Sequence, residues 1–192
     1  MSGGETHLLR STRVRLTALD ESDARTIAGW YEDAEYLRLQ DTNAAIPRTA
    51  ADISSEITTE SNAADTIVLA IRLVDSDELV GTLGFYEIEW SNQVAWLDLG
   101  IGDRSHWGQG YGSEAMQLAL KYAFCELNLY RVQLTVIDYN ARAIALYEKS
   151  GFKREGVFRK FGRRDGKRYD MILYGLLRPE WESHQRSQAP QV

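Results

Sequence analysis

The stretch best suited to chemistry is Trp107-Gly108-Gln109-Gly110-Tyr111-Gly112-Ser113-Glu114-Ala115, where glycines alternate with larger residues and an apolar-periodic helix follows at once. Glycine lets the backbone approach a ligand closely and adopt positive φ. A helix start adds free N–H groups and the positive end of the helix dipole. Together these make a cradle for a phosphate or pyrophosphate. Further along, Asn140 and Tyr147 fall in a helical pattern, two turns and about 10 Å apart on one face. Upstream, Asp98 interrupts an apolar strand, sharing one face with Trp96 while Leu97, Leu99 and Ile101 take the other. Glu87 and Glu89 belong to the strand before it. His106 is a lone loop histidine, read as solvated. No His, Cys or carboxylate spacing suggests a metal.

The elements that must position these residues are readable in outline. Arg13 to Leu19 alternates as a half-buried strand. Asp20 or Ser22 caps a helix through Tyr31, and Thr49 opens a second through Glu60, with an irregular segment from Tyr36 to Pro47 between them. Thr66–Val74, Leu79–Trp90 and Val94–Gly102 are strands joined by short turns, which makes an antiparallel meander. The helix after the glycines runs to Leu127, burying Met116, Leu120, Ala123, Phe124 and Leu127. A strand (Arg131–Ile137), a short helix (Asn140–Ser150) ended by Gly151, and two strands around an Asp165-Gly166 turn complete the chain. Order is expected from about 8 to 182, with Pro179 ending it and a frayed tail from Ser183. These elements describe a single α+β domain over 1–192 with a mixed, mostly antiparallel sheet flanked by helices.

At 192 residues the chain can bury a full core, and 44% hydrophobic with 26% charged residues is the composition of a soluble globular protein. The net charge of −6 argues against general nucleic-acid binding and suits an amine-bearing partner. Cys125 is the only cysteine, which excludes an internal disulfide; its place in an apolar helical pattern predicts a buried structural thiol. Met1 to His7 has no signal-peptide pattern and no apolar run reaches membrane-spanning length, so a cytoplasmic location and no membrane partner are expected.

The glycine stretch alone does not name its ligand. Gly110-x-Gly112-x-x-Ala115 also fits a relaxed dinucleotide fingerprint, with Asp138 ending the next strand, which would make the chain an NAD(P)-binding oxidoreductase. Against this, a polar loop separates Gly102 from Gly110, the preceding strands form a meander, and too little chain remains for further parallel strands. A Walker-type loop fails because Gly166-Lys167 is followed by Arg168.

Several ordered blocks together decide the matter. They are Gly100-Ile101-Gly102-Asp103, the glycine stretch, Asn140-Ala141-Arg142-Ala143-Ile144-x-x-Tyr147-Glu148-Lys149-x-Gly151-Phe152, Glu155-Gly156 and Arg164-Asp165-Gly166-Lys167-x-Tyr169-Asp170. On these the chain, from about Arg13 to Trp181, resembles the GNAT superfamily of N-acetyltransferases, nearest to its ribosomal-protein (RimJ/RimL-type) branch. The resemblance implies the GNAT fold and acetyl transfer from acetyl-CoA to a primary amine, either a protein N-terminus or a small amine. A non-catalytic CoA-binding sensor on the same fold is the other alternative. By resemblance, the backbone from Trp107 and Gly108 through Gln109, Gly110, Tyr111 and Gly112 to Ser113 holds the CoA pyrophosphate. Leu99, Gly100 and Ile101 pair with the pantetheine arm; glycines in a strand often mark such close approach or a bulge. Asn140 contacts the pantetheine, though it also reads as an N-cap. Tyr147 stands at the thioester sulfur as general acid, or else is a core aromatic. Asp98 and Glu87, with Glu89, are the candidate bases. Trp30, Tyr31, Tyr36 and the Asp41 region match the acceptor pocket of related enzymes, or are core. The basic residues from Lys153 to Arg168 read as a solvated ribbon, with an acidic protein, ribosomal RNA or the CoA 3′-phosphate as alternative contacts. Relatives are often dimers, which leaves a homodimer open.

Overall fold

The computed structural model describes residues 8–188. The expectation of no signal peptide over 1–7, and the last four residues of the expected tail, lie outside the described residues.

The chain begins with β1 (Val14–Ala18), a one-turn 3-10 segment and α1 (Ala24–Trp30). Asp20 and Asp23 start this turn as a reciprocal capping box. Next come α2 (Ala34–Gln40) and α3 (Ala50–Ser61), then the meander β2 (Ile67–Leu73), β3 (Leu79–Glu89) and β4 (Val94–Ile101). After the glycine loop, α4 (Tyr111–Lys121) leads to β5 (Arg131–Ile137), α5 (Ala141–Lys149), the hairpin β6 (Lys153–Arg164) and β7 (Lys167–Leu177), and α6 (Arg178–Gln188). The seven strands form one sheet in the order β1-β2-β3-β4-β5-β7-β6. Its neighbours are antiparallel except β4 and β5, which α4 joins as a parallel crossover. This is the expected α+β fold with a mixed, mostly antiparallel sheet.

Adjacent residues in the strands serve opposite faces, as period two requires. Ala70 and Leu79 pack with α1–α3, around Trp30, Tyr36, Ile53 and Ile57. Ile71 and Val80 belong to the other, larger cluster with Met116, Leu120, Phe124 and Tyr147. Among the described residues, no helix is long and apolar enough to cross a membrane.

The expected elements differ from the observed ones in four places. The segment expected to be irregular contains α2, capped by Asp33, whose Oδ1 accepts the Glu35 amide at 2.9 Å. A helix this short buries only Tyr36 and Leu37, too few to show a period. The α4 pattern does not run unbroken to Leu127: a π-helical turn over Tyr122–Glu126 widens the backbone. That turn changes the phase of the side chains, and Cys125, expected to be buried, is exposed. Finally, Pro179 does not end order. It sits in the first turn of α6, where its missing N–H costs nothing, and Trp181 then stacks on Phe124 at 5.2 Å.

Candidate active site

β4 and β5 pair only from Val94 to Trp96, against Arg131 to Gln133. Beyond that point β4 stays on β3 as far as Ile101, whereas β5 follows β7 to Ile137. The sheet therefore splits, and the split opens a cavity of about 530 Å³. Its walls are β4 from Asp98 to Ile101, the glycine loop, the end of β5, one side of α5 and the end of α2.

The glycine loop forms the outer end. Gly108 and Gly110 have φ of 74° and 88°, values that favour glycine, and Gly110 caps α4. Its carbonyl accepts the amides of Ser113 and Glu114, both at 3.1 Å. The amides of Tyr111 and Gly112, in the first turn of the helix, have no carbonyl behind them to bond and lie at the cavity wall. A Cβ on Gly112 would reach Ile101, Leu99 and Leu146 only at 3.6–3.9 Å, ordinary contact, so protein packing leaves room there. The loop is braced from the residue before β1: Arg13 donates to the Gln109 carbonyl at 2.8 Å and to the Glu114 carboxylate at 2.5 Å. Trp107 is anchored by its indole N–H on the Ile101 carbonyl at 2.7 Å, with the Arg142 guanidinium 4.0 Å over its ring. Gln109 alone of the loop residues named from the sequence does not line the cavity; its side chain bonds back to the Ser105 carbonyl.

Along the split edge of β4, the Gly102 amide bonds to Val80 on β3. Alternation then turns the main-chain groups of Gly100 toward β3 and those of Leu99 and Ile101 toward the cavity. The in-strand glycines have a different cause from the ligand approach or bulge expected of them. A Cβ on Gly102 would fall inside the Trp30 indole, and one on Gly100 would meet the Gln40 carboxamide at 2.5 Å. Both are glycines because side chains from α1 and α2 pack onto the strand.

At the inner end, Asp98 and Tyr147 approach from opposite faces of the sheet. Tyr147 is 7% exposed, packed on Phe152 and Tyr174, and it lines the cavity. No group among the described residues hydrogen-bonds its hydroxyl. Burial, and secondarily the charge of Asp98, hold the phenol well above its ordinary pKa. The Asp98 carboxylate is walled by protein but open to the cavity, so it is accessible where a buried residue was expected. Burial pushes its pKa up to about 6, against the hydrogen bonds from Gln40 and the Leu99 amide that favour the charged form. Water in the open cavity moderates that elevation, which is fullest when a ligand fills the site. Tyr36, 4% exposed, adds a second phenol at the cavity wall, likewise raised by burial.

Asn140 lines the cavity and is also the N-cap of α5: its Oδ1 accepts the Ala143 amide at 3.2 Å while its Nδ2 donates to Leu39 at 3.3 Å. The remaining candidates lie elsewhere. Glu87 is exposed on a bulge of β3, at the strand end far from Gly100, because the register shift there turns it outward. Trp30 is buried against Gly102 in the core under α1–α3. Tyr31 packs edge-on to Tyr36 with Arg48 over its ring, and does not line the cavity. The hairpin is only partly a solvated ribbon, since Asp165 forms a two-pronged pair with Arg38, both contacts 3.0 Å. Gln40, Asp41, Thr42 and Arg142 also line the cavity. Asp41 and Thr42 belong to the region that the resemblance matches to the acceptor pocket, and Arg142 was findable from its place beside Asn140 at the helix start; Gln40 had no signal, because α2 had none.

A family model described as Acetyltransferase (GNAT) domain matches residues 13–153. The chain is 28% identical over 177 residues to an uncharacterized N-acetyltransferase, p20, of Bacillus licheniformis, covering 90% of this chain and 97% of that protein. It is 28% identical over 108 residues to the ribosomal protein uS5-alanine N-acetyltransferase of Escherichia coli (strain K12), covering 56% of this chain and 55%, about half, of that enzyme. The solved structure of spermidine N-acetyltransferase from Vibrio cholerae, in complex with CoA and spermine, matches with a TM-score of 0.82 at 21% identity, covering 90% of this chain and 99% of that one. At that identity the likeness is one of fold.

Proposed function

The chain belongs to the GNAT family and is an acetyltransferase, and on that premise we propose that it transfers the acetyl group of acetyl-CoA to a primary amine by direct attack in the split between β4 and β5. The observation that carries this reading is one cavity lined by a helix-start glycine loop, by the Asp98 carboxylate and by the Tyr147 phenol, which has no hydrogen-bond partner among the described residues. The amides of the glycine loop and of Tyr111 and Gly112 at the start of α4 would hold the pyrophosphate, since the first N–H groups of a helix have no acceptor within the helix. The cavity-facing main chain of Leu99 and Ile101 would bond the pantetheine arm as an added strand does. When bound, the cofactor supplies an activated acyl carbon on a sulfur leaving group.

The chain's own groups would then move protons. Asp98 takes the proton that the attacking amine must lose, being ionised at neutral pH but basic enough to accept. Tyr147 donates to the departing sulfur. Its phenol is held weakly acidic by burial and by the negative charge of Asp98. Protonation of Asp98 removes that second influence, so the phenol becomes a better donor at the moment the sulfur leaves. Tyr36 borders the same end and would contact the acceptor. Asn140 would act mainly by fixing α5 and α2, with its amide at the pantetheine. The named relatives acetylate a ribosomal-protein alanine or spermidine; both acceptors are amines, and both belong in a substrate panel for this chain.

A thermal-shift panel of acetyl-CoA, CoA, NADH and NADPH tests the cofactor. Acetyl-CoA and CoA should raise the melting temperature, by about 2.7 kcal/mol of added stability at a hundredfold excess over Kd. Stabilisation by the nicotinamide nucleotides alone would contradict the reading.

A further inference from the structure

Asp98 has one side-chain hydrogen-bond donor among the described residues: Nε2 of Gln40, 3.0 Å from Oδ2. The same carboxamide lies flat on Gly100, where a Cβ would come within 2.5 Å of Oε1 and 2.9 Å of Nε2. A side chain at residue 100 would push this carboxamide off its present position on Asp98.

Gln40 is the last residue of α2, and that end is held from several directions. The Tyr139 hydroxyl donates to the Arg38 carbonyl at 2.6 Å, and Asn140 donates to the next one, Leu39. Arg164 reaches from the hairpin to the carbonyls of Asp41 at 2.9 Å and Asn43 at 2.7 Å. Arg38 pairs with Asp165 across the hairpin turn. So the turn after β5 and the β6–β7 hairpin both fasten the segment that carries Gln40. Burial alone does not call for this, since α2 puts only Tyr36 and Leu37 into the core.

We propose that Gln40 is a positioning residue for Asp98: it fixes one carboxylate oxygen and favours the charged form, leaving the other oxygen for the acceptor amine. This rests on the reading of Asp98 as the proton acceptor. The other titratable groups that face or influence Asp98 are Asp41 and Tyr36 at α2, Tyr31 on α1, Glu60 on α3, Tyr86 on β3 and Tyr147 on α5. No Lys or Arg forms an ion pair with it among the described residues, which leaves the Gln40 N–H and the Leu99 amide as the donors that hold its charge.

The test uses the full chain as wild type, Gln40→Leu and Gln40→Glu. Two quantities are followed against pH: the carbon-13 resonance of the Asp98 carboxyl, assigned with Asp98→Asn, and kcat/KM for acetyl transfer. Loss of the donor in Gln40→Leu should move both titrations alkaline by about one pH unit, roughly a fivefold loss of rate at pH 6 that approaches about tenfold near pH 5, with little change at pH 9. Gln40→Glu should move them further, because a second carboxylate then faces the first. A purely structural role would lower the rate equally at every pH and would not order the variants. An Asp98 resonance that titrates identically in all three overturns the proposal. A resonance that moves while the rate profile stays fixed supports the hold of Gln40 on Asp98 and refutes Asp98 as the base.

Discussion

In the proposed mechanism Asp98 and Tyr147 divide the proton transfers between them, and each role can be tested alone. With burial raising the Asp98 pKa to about 6 when the site is filled, kcat should fall tenfold per unit well below that pH, and Asp98→Asn should remove this acid limb while lowering kcat by about 10²–10⁴-fold. Stability should move the other way. A carboxyl whose folded pKa is raised is content when protonated and costs stability once ionised. The melting temperature of Asp98→Asn relative to wild type should therefore improve as pH rises from about 4 through 6, and stay level above that. Tyr147→Phe should lower kcat at least about a hundredfold with KM for acetyl-CoA nearly unchanged, because the phenol acts on the leaving group rather than on the phosphates. These two residues and Asn140 were legible in the sequence: one broke an apolar strand pattern, the others shared a helix face. Gln40 was not, because its role depends on a contact made 58 residues away. Glu87 was a further candidate base beside Asp98, and the bulge in β3 turns it out.

Among the elements, the glycines separate packing from binding. Gly102→Ala puts a Cβ into the Trp30 ring and should cost about 1–3 kcal/mol in a denaturant melt. Gly112→Ala meets only ordinary contacts and improves the first turn of α4, so stability should hold or rise by up to about 1 kcal/mol. The same methyl group projects where the pyrophosphate is proposed to sit, so the Kd for CoA by calorimetry should rise at least about tenfold. Unchanged affinity would move the phosphate site off this helix start. The sequence displayed those elements whose signals are local: the Thr49 capping box that opens α3, the meander turns, and the Asp165-Gly166 turn with both residues at positive φ. It hid α2, the π-helical turn and the continuation of α6, since each depends on what packs against it. The glycines of β4 were noticed, but their partners, Trp30 and Gln40, were invisible without the tertiary contacts.

For the molecule as a whole, the meander and the single crossover give a sheet that splits where β4 and β5 part, and the split is the proposed site. The α+β architecture followed from element order; an edge of β4 free to pair with the pantetheine arm was implied only by the family resemblance, because local sequence does not say where two parallel strands stop pairing. Stability has its own anchor on the α1–α3 side. Asp23, 5% exposed, accepts Arg72 through both carboxylate oxygens at 2.7 Å and ties the first turn to β2. Among the described residues, Asp23→Ala leaves the mostly buried Arg72 guanidinium with only Asp77, 3.9 Å away, as an ion-pair partner and Thr17 at 3.1 Å, and should cost about 2–3 kcal/mol in a denaturant melt with kcat unchanged where the protein remains folded.

The central claim is that this cavity carries out acetyl transfer to an amine with Tyr147 as proton donor. Release of free thiol from acetyl-CoA, followed across a panel of polyamines, small amines and N-terminal peptides, measures it most directly. The account predicts amine-dependent thiol release, loss of most of it in Tyr147→Phe, and acetyl-CoA binding retained in that variant. Amine-dependent release that proceeds at the wild-type rate in Tyr147→Phe would contradict the mechanism, and no release with any amine, despite tight acetyl-CoA binding, would make the chain a CoA-binding sensor instead.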